Sequence, residues 1–365
     1  MNRRRFLTTT TTLTLAAHLP GIALAQERSF TPTPGRWRTF EVVTRVDIAD
    51  ARGATQAWVP VPSITNDWQV SQDSAWTTNA SDATLVTDNA FGTRMVHARF
   101  PAGEKAPWIE VTSRVRTQDR RHDWSSRGAA SVDRAMLATY LKPTDLMPTD
   151  GIVLKTAQDI VGTRRNDAEK VRALYDWVVA NTHREPKVRG CGVGDIKAML
   201  ETGNLGGKCG DINALFVGLS RAAGVPARDV YGIRVARSAF GYKELGAGSP
   251  DITRAQHCRA EVCLAGHGWV AMDPADVGKV MRLETPDWLK DPTHPVVAPV
   301  NAALFGGWEG NWMAYNVAHD VALPGSRGAK LGFLMYPQAE TRGERVDSLD
   351  PDTFKYKITT REIAA

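Results

Sequence analysis

Cysteine is scarce in this chain, with four in 365 residues. That is far below the roughly 8–10% of a small disulfide-stapled scaffold. All four (Cys191, Cys209, Cys258 and Cys263) lie in one central stretch instead of being spread as staples. Long apolar runs are also missing. After the first 25 residues no stretch approaches the ~20 apolar residues that cross a bilayer, so the mature chain is expected to have no membrane span. No dense Lys/Arg run with interleaved aromatics occurs, which argues against a nucleic-acid partner. No acidic loop of EF-hand type is present, so calcium is not implied. There is no internal repeat. What remains is ordinary globular material, 42% hydrophobic and 23% charged, with room for two or three domains.

The first 25 residues read as a targeting segment. Arg3-Arg4-Arg5-Phe6-Leu7 is a basic opening, Thr8 to Leu24 is uncharged, and Ala23-Leu24-Ala25 offers a small-x-small cleavage site. Paired arginines followed by x-Phe-Leu resemble a bacterial twin-arginine export signal, which implies a periplasmic protein. This segment holds three arginines and no acids, so its removal lowers the net charge from +5 to +2.

Residues 26–125 show a period of two. Phe40 to Ile48, Thr55 to Val61 and Trp108 to Val115 alternate between apolar and polar, separated by Asp-, Asn- and Gly-rich turns. This predicts an antiparallel, sandwich-like β domain. Residues 126–149, with Pro143 and Pro148, read as a linker. Helical periodicity follows at 167–182, at 196–201 and from Cys209 to Gly224-Val225-Pro226, where Gly and Pro stop the last helix. Residues 229–235, 257–264 and 269–272 return to strand, the last two as a hairpin. Residues 286–365 read as a β-rich extension packing on the 150–285 core.

The chemistry concentrates in that core. Cys209 stands in Gly206-Gly207-Lys208-Cys209-Gly210, at the start of a helix. Unsatisfied N–H groups and the positive end of the helix dipole favour thiolate there, and the same N–H groups can face a developing oxyanion. His257 opens a strand. If the 257, 259, 261 face of that strand meets the helix start, the imidazole reaches the thiol. Asp273, at the end of the partner strand, can then orient the imidazole. Thiol, imidazole and carboxylate make the expected catalytic set of Cys209, His257 and Asp273. His183, His267 and His319 are rival bases. A rival zinc set of His257, Cys258, Cys263 and His267 would need a break in the strand, because alternation puts Cys258 and Cys263 on opposite faces. Gly207 and Gly210 are expected to let substrate approach closely, and Trp269 and Trp312 to line its groove.

Gly-Gly-x-Cys opening a helix, Arg221-Ala222-Ala223-Gly224-Val225-Pro226-Ala227-Arg228 closing it, and Gly268-Trp269-Val270-x-x-Asp273-Pro274 resemble the transglutaminase-like superfamily. The resemblance covers roughly residues 150–280. It implies an α+β fold with a papain-like transglutaminase core behind the N-terminal β domain. It implies Cys209 as nucleophile, His257 as base and Asp273 as orienter, with no metal or cofactor. The chain departs from the family twice. Gly210 follows the cysteine where an aromatic is frequent, and His257-Cys258-Arg259 replaces the usual His-Ala-Trp. These features lead to an exported cysteine enzyme acting on peptide or isopeptide amides, by hydrolysis sooner than by cross-linking. The alternative is a catalytically silent binding or cell-envelope assembly module.

Overall fold

The computed structural model describes residues 28–49, 51–126, 128 and 133–363; the expected export segment lies outside the described residues. The architecture is α+β. Six N-terminal strands are β1 (Arg38–Ile48), β2 (Thr55–Pro60), β3 (Gln69–Thr78), β4 (Asp82–Thr87), β5 (Arg94–Phe100) and β6 (Trp108–Thr117). Alternation drives their formation. In β1, Phe40, Val42, Val46 and Ile48 are buried while their neighbours are half-exposed.

The last part of the chain is divided: one strand joins the core sheet and three join the sheets of the N-terminal domain. β10 (Trp312–Asn316) joins the core sheet. β11 (Gln338–Thr341), β12 (Glu344–Val346) and β13 (Phe354–Ile363) return to the N-terminal domain. β13 runs antiparallel along β1 from Ile363 opposite Thr39 to Phe354 opposite Ile48. One sheet is thus ordered β13-β1-β6-β3 and the other β12-β11-β2-β5-β4. Val46, Ile109, Val111 and Phe354 of the first share one apolar cluster with Val59, Val96, Ala98 and Ala339 of the second. This is the interior of a sandwich. The returning strands cover the edges of β1 and β2, which would otherwise present unpaired backbone.

Between these two visits the chain builds the core. Residues 126–149 carry a short helix, Arg134–Thr139, and bury Tyr140 and Met147. Helix α1 (Gly151–Val161) follows, then α2 (Asp167–Asn181), whose Asn166 side chain caps the N–H groups of Ala168 and Glu169. Next are α3 (Ile196–Thr202) and α4 (Cys209–Ala222). Strands β7 (Ala227–Arg234), β8 (Gln256–Leu264) and β9 (Gly268–Met272) form an antiparallel sheet of order β9-β8-β7-β10, and α5 (Pro274–Leu283) continues from β9.

Helix α4 is the hub. Its sequence suggests a single apolar stripe, yet every residue from Cys209 to Arg221 is buried. The polar members of the other face are bonded within the protein. The Arg221 guanidinium donates from Nε to the Ala227 carbonyl at 2.8 Å and from Nη1 to the Lys142 carbonyl at 2.9 Å. Sheet and helices therefore surround α4 on all sides.

Phe354 joins the two sandwich sheets and is 1% exposed. Phe354→Ala should cost about 3–5 kcal/mol of folding free energy, read as a fall in the denaturant midpoint. A change under about 1 kcal/mol would mean that the last strand is dispensable to the sandwich.

Candidate active site

A buried helix start must have its N–H groups satisfied by protein. At α4 this accounting is specific. The Gly210 N–H donates to the Cys191 carbonyl at 2.8 Å, and the Asp211 and Ile212 N–H groups turn back to the Lys208 carbonyl. The Asp211 carboxylate accepts from the N–H groups of Lys208, Val193 and Gly194 at 2.8–2.9 Å. It thereby clamps the 190–194 loop to the helix. Gly192 allows this close approach: a Cβ there would lie 1.8 Å from Asp211 Oδ2, and its φ is +92°. Among the described residues the Cys209 N–H has no backbone acceptor, so it stays free to donate beside the sulfur.

Strand β8 brings His257 to the same place. Its Nε2 lies 2.8 Å from Asp273 Oδ2 and 3.3 Å from Asp276 Oδ2. Nδ1 is then the nitrogen left for the thiol. Asp273 caps α5: its Oδ1 accepts the Asp276 N–H at 3.1 Å. Asn213, one turn after Cys209 on α4, donates to the Cys258 carbonyl at 2.8 Å and to Asp273 Oδ1 at 3.3 Å. The thiol helix is thus tied to the strand and the carboxylate that serve it. Trp312 Nε1 donates to the His257 carbonyl at 3.0 Å from behind.

Strand alternation works differently from the sequence expectation. Cys258, Ala260 and Val262 share the apolar core with α4, whereas Arg259 and Glu261 meet buried charges. His257 stands near the start of the strand, and its imidazole reaches the thiol at the start of α4. The same geometry gathers the cysteines for which the sequence allows a Cys209–Cys258 or Cys191–Cys209 disulfide: the Sγ atoms of Cys191, Cys209 and Cys258 all lie within 4.8 Å of one another. All four cysteines are free thiols.

The electrostatics follow from these contacts. The polar Cys191 and Cys258 thiols, and then His257, hold the Cys209 thiol well below its usual range despite burial. Burial opposes charge on His257, but Asp276 and Asp273 outweigh it and raise the imidazole to about 9. Both shifts favour the pairing of a thiolate with an imidazolium. The two carboxylates divide. Asp276 is buried, but Arg234 at 2.5 Å and His257 keep it well below the carboxylate range. Asp273 is pushed up by burial and by the negative Asp276.

Two groups of side chains could in principle hold a metal, the three thiols and the set of His257, Asp273 and Asp276. In the second, Arg234 and Arg259 already compensate the carboxylates, Arg259 Nε standing 3.6 Å from Asp273. Cys263 and His267 belong to neither group, and His267 Nδ1 instead pairs with His122 Nε2 at 2.9 Å. His183 packs against Trp288 and His319 against Phe91, so neither takes the place of His257.

Two clefts flank Cys209. One, of about 250 Å³, is lined by Cys209, His257, Arg184 and Arg254. The other, of about 500 Å³, is lined by Cys191, Lys208, Arg184 and Tyr336. The expected groove residues Gly207, Gly210, Trp269 and Trp312 line neither. Added Cβ atoms at Gly207 and Gly210 would meet Asp211 Cβ and the Cys191 carbonyl, at 2.6 and 2.7 Å, so these glycines serve internal packing. Trp269 lies under Arg228 at 3.9 Å. Trp312 is 1% exposed and carries Arg259 on its ring. Asp276, Asn213 and Arg234 are the residues that sequence reasoning missed. A polar Asn213 inside an apolar helix, one turn from Cys209, was the available signal.

The raised imidazole has a direction that can be checked. A folded value above the ordinary ~6.5 means that His257 charge favours the folded state fully below that pH, an effect lost as pH rises through about 9. Asp276→Asn should bring the His257 titration down toward its ordinary range, followed by NMR of the imidazole protons. A value unmoved by that substitution would exclude Asp276 as its principal partner.

Likenesses to known proteins bear on the family and the fold. The sequence profile of the transglutaminase-like superfamily matches residues 154–274, from α1 to the first residue of α5. An uncharacterised protein of Haemophilus influenzae is 36% identical over 333 residues, 86% of this chain and 88% of its own length. A crystal structure of a candidate cysteine protease from Cytophaga hutchinsonii superposes with a TM-score of 0.50 at 16% identity, covering 90% of this chain and 99% of that one. That likeness extends the shared fold beyond the papain-like core to the β-rich flanks. By the profile match over residues 154–274, the chain belongs to the transglutaminase-like superfamily.

Proposed function

We propose that this protein is a cysteine-dependent amide hydrolase of peptide or isopeptide bonds. The observation that carries it is the convergence of a depressed thiol, a raised imidazole and two buried carboxylates at the start of one buried helix. Cys209 attacks the carbonyl carbon and forms the C–S bond. The carbonyl oxygen becomes an oxyanion facing the Cys209 N–H. As the C–N bond breaks, the imidazolium of His257 gives its proton to the leaving amine. Neutral His257 then takes a proton from water, whose oxygen attacks the thioester and releases the acid and the thiolate. Asp273 and Asp276 hold the imidazole and stabilise its charge without taking its proton. Water is the favoured acceptor because it is present at high concentration wherever the thioester is reachable, whereas an amine must be bound and positioned.

The reading includes export. The paired arginines and the small-x-small site at residues 23–25 support delivery to the periplasm, where peptide amides of the cell envelope are accessible. Fractionation of cells carrying Arg3→Lys and Arg4→Lys together should leave the protein in the cytoplasm. Periplasmic recovery of that variant would remove the twin-arginine route.

Iodoacetamide should alkylate Cys209 quickly below pH 7 in the wild-type protein and roughly 10²-fold more slowly in His257→Ala. Mass spectrometry of the intact protein provides the readout. Equal, slow labelling of both near the ordinary thiol value of ~8.5 would sink the enzyme reading.

A further inference from the structure

Both clefts beside Cys209 are lined by cations. Arg184 and Arg254 border both, Lys279 borders the smaller and Lys208 the larger. Asp251 is the single acid among the residues lining either cleft, and it is occupied by the Thr253 N–H and hydroxyl at 3.1 and 2.6 Å. The rest of the chain nearly balances its charge, so this is a local accumulation.

Several arginines of the core are ion-paired. Arg234 meets Asp276, and Arg120 and Arg228 meet Glu261. Arg184 and Arg254 differ: among the described residues neither forms an ion pair with a carboxylate. Arg184 is also left incomplete, since its Nε is buried with no hydrogen-bond partner. Burial and then the Arg184 charge hold the Lys208 ammonium below its usual range, which shows how closely these cations crowd. Like charges held together with a buried donor unpaired destabilise the unliganded protein. Cys209 lines the smaller cleft and its neighbours Lys208 and Cys191 line the larger, while Arg184 and Arg254 border both.

We infer that the missing counter-charge comes from the substrate: the clefts bind a peptide carrying carboxylates on either side of the scissile amide, with Arg184 and Arg254 as the specificity residues. Guanidinium forks match carboxylates in bidentate fashion, and a narrow cleft with a positive lining concentrates anions. This inference rests on the reading of Cys209 as the reactive thiol.

The test uses protection of Cys209 from alkylation by iodoacetamide, a neutral reagent. An acetylated, amidated peptide of three glutamates should protect at about tenfold lower concentration than its three-glutamine counterpart. The difference should shrink in 0.5 M NaCl and disappear in Arg254→Ala, an exposed position, and in Arg184→Gln. Iodoacetate should also gain on iodoacetamide in the wild-type protein and lose that gain in both variants. Equal protection by the two peptides would overturn the inference. So would protection by inorganic phosphate as strong as that by the glutamate peptide, which would assign the cations to phosphate. Slow alkylation with an ordinary thiol pH profile would instead remove the enzyme reading, which the ratio between the peptides does not address.

Discussion

The site depends on the complete burial of α4. A helix with one wet face can leave its first N–H groups to solvent. A helix enclosed by sheet and helices cannot, so each N–H at its start needs a protein partner or a function. Asp211, the Lys208 carbonyl and the Cys191 carbonyl take up the others, leaving the Cys209 N–H beside the sulfur. Burial of the helix and exposure of one reactive donor are thus two sides of one packing arrangement. The same enclosure raises the effective strength of every charge near the thiol.

Enclosure would also drive charges out if they stood alone. They persist because they form a connected set. His257 faces two carboxylates, each carboxylate faces an arginine, and Arg259 is held between Trp308 and Trp312 at 5.1 and 4.6 Å. Asn213 links this set to the thiol helix through neutral hydrogen bonds. Removing one member leaves the others buried and uncompensated, so geometry and charge state are maintained together.

Local features of the sequence were legible where short-range physics decides. Alternation in Phe40 to Ile48 and the Asn166 and Asp195 caps mark real elements, and Gly224 with Pro226 ends α4 as expected. Cys209, His257 and Asp273 were found because each stands at the edge of a regular element. Pairings distant in sequence were not legible. Nothing near Phe354 announces that its strand will lie along β1, more than 300 residues earlier, because register depends on which edge stays open. Asp276 stayed hidden for a related reason. Its side chain reads as an ordinary first-turn acid of α5, and only the direction of that helix turns it onto His257.

The departure from the family pattern at the histidine strand changes two residues that act as one arrangement. His-Ala-Trp would place a small residue against the thiol helix and an aromatic against the carboxylate. Here Cys258 and Arg259 occupy those positions. Cys258 places an S–H within reach of the Cys209 sulfur, so the thiolate gains a donor that alanine could not supply. Arg259 brings a cation to Asp273, and the aromatic surface is supplied by Trp308 and Trp312 from a distant segment. Asp273 would otherwise face the negative Asp276 with only His257 to offset it, and its pKa is already raised. Keeping both carboxylates charged behind one imidazole therefore requires the extra cation. An arginine in that place, sheltered by two indoles, allows this chain to use two acids where a single acid would need none.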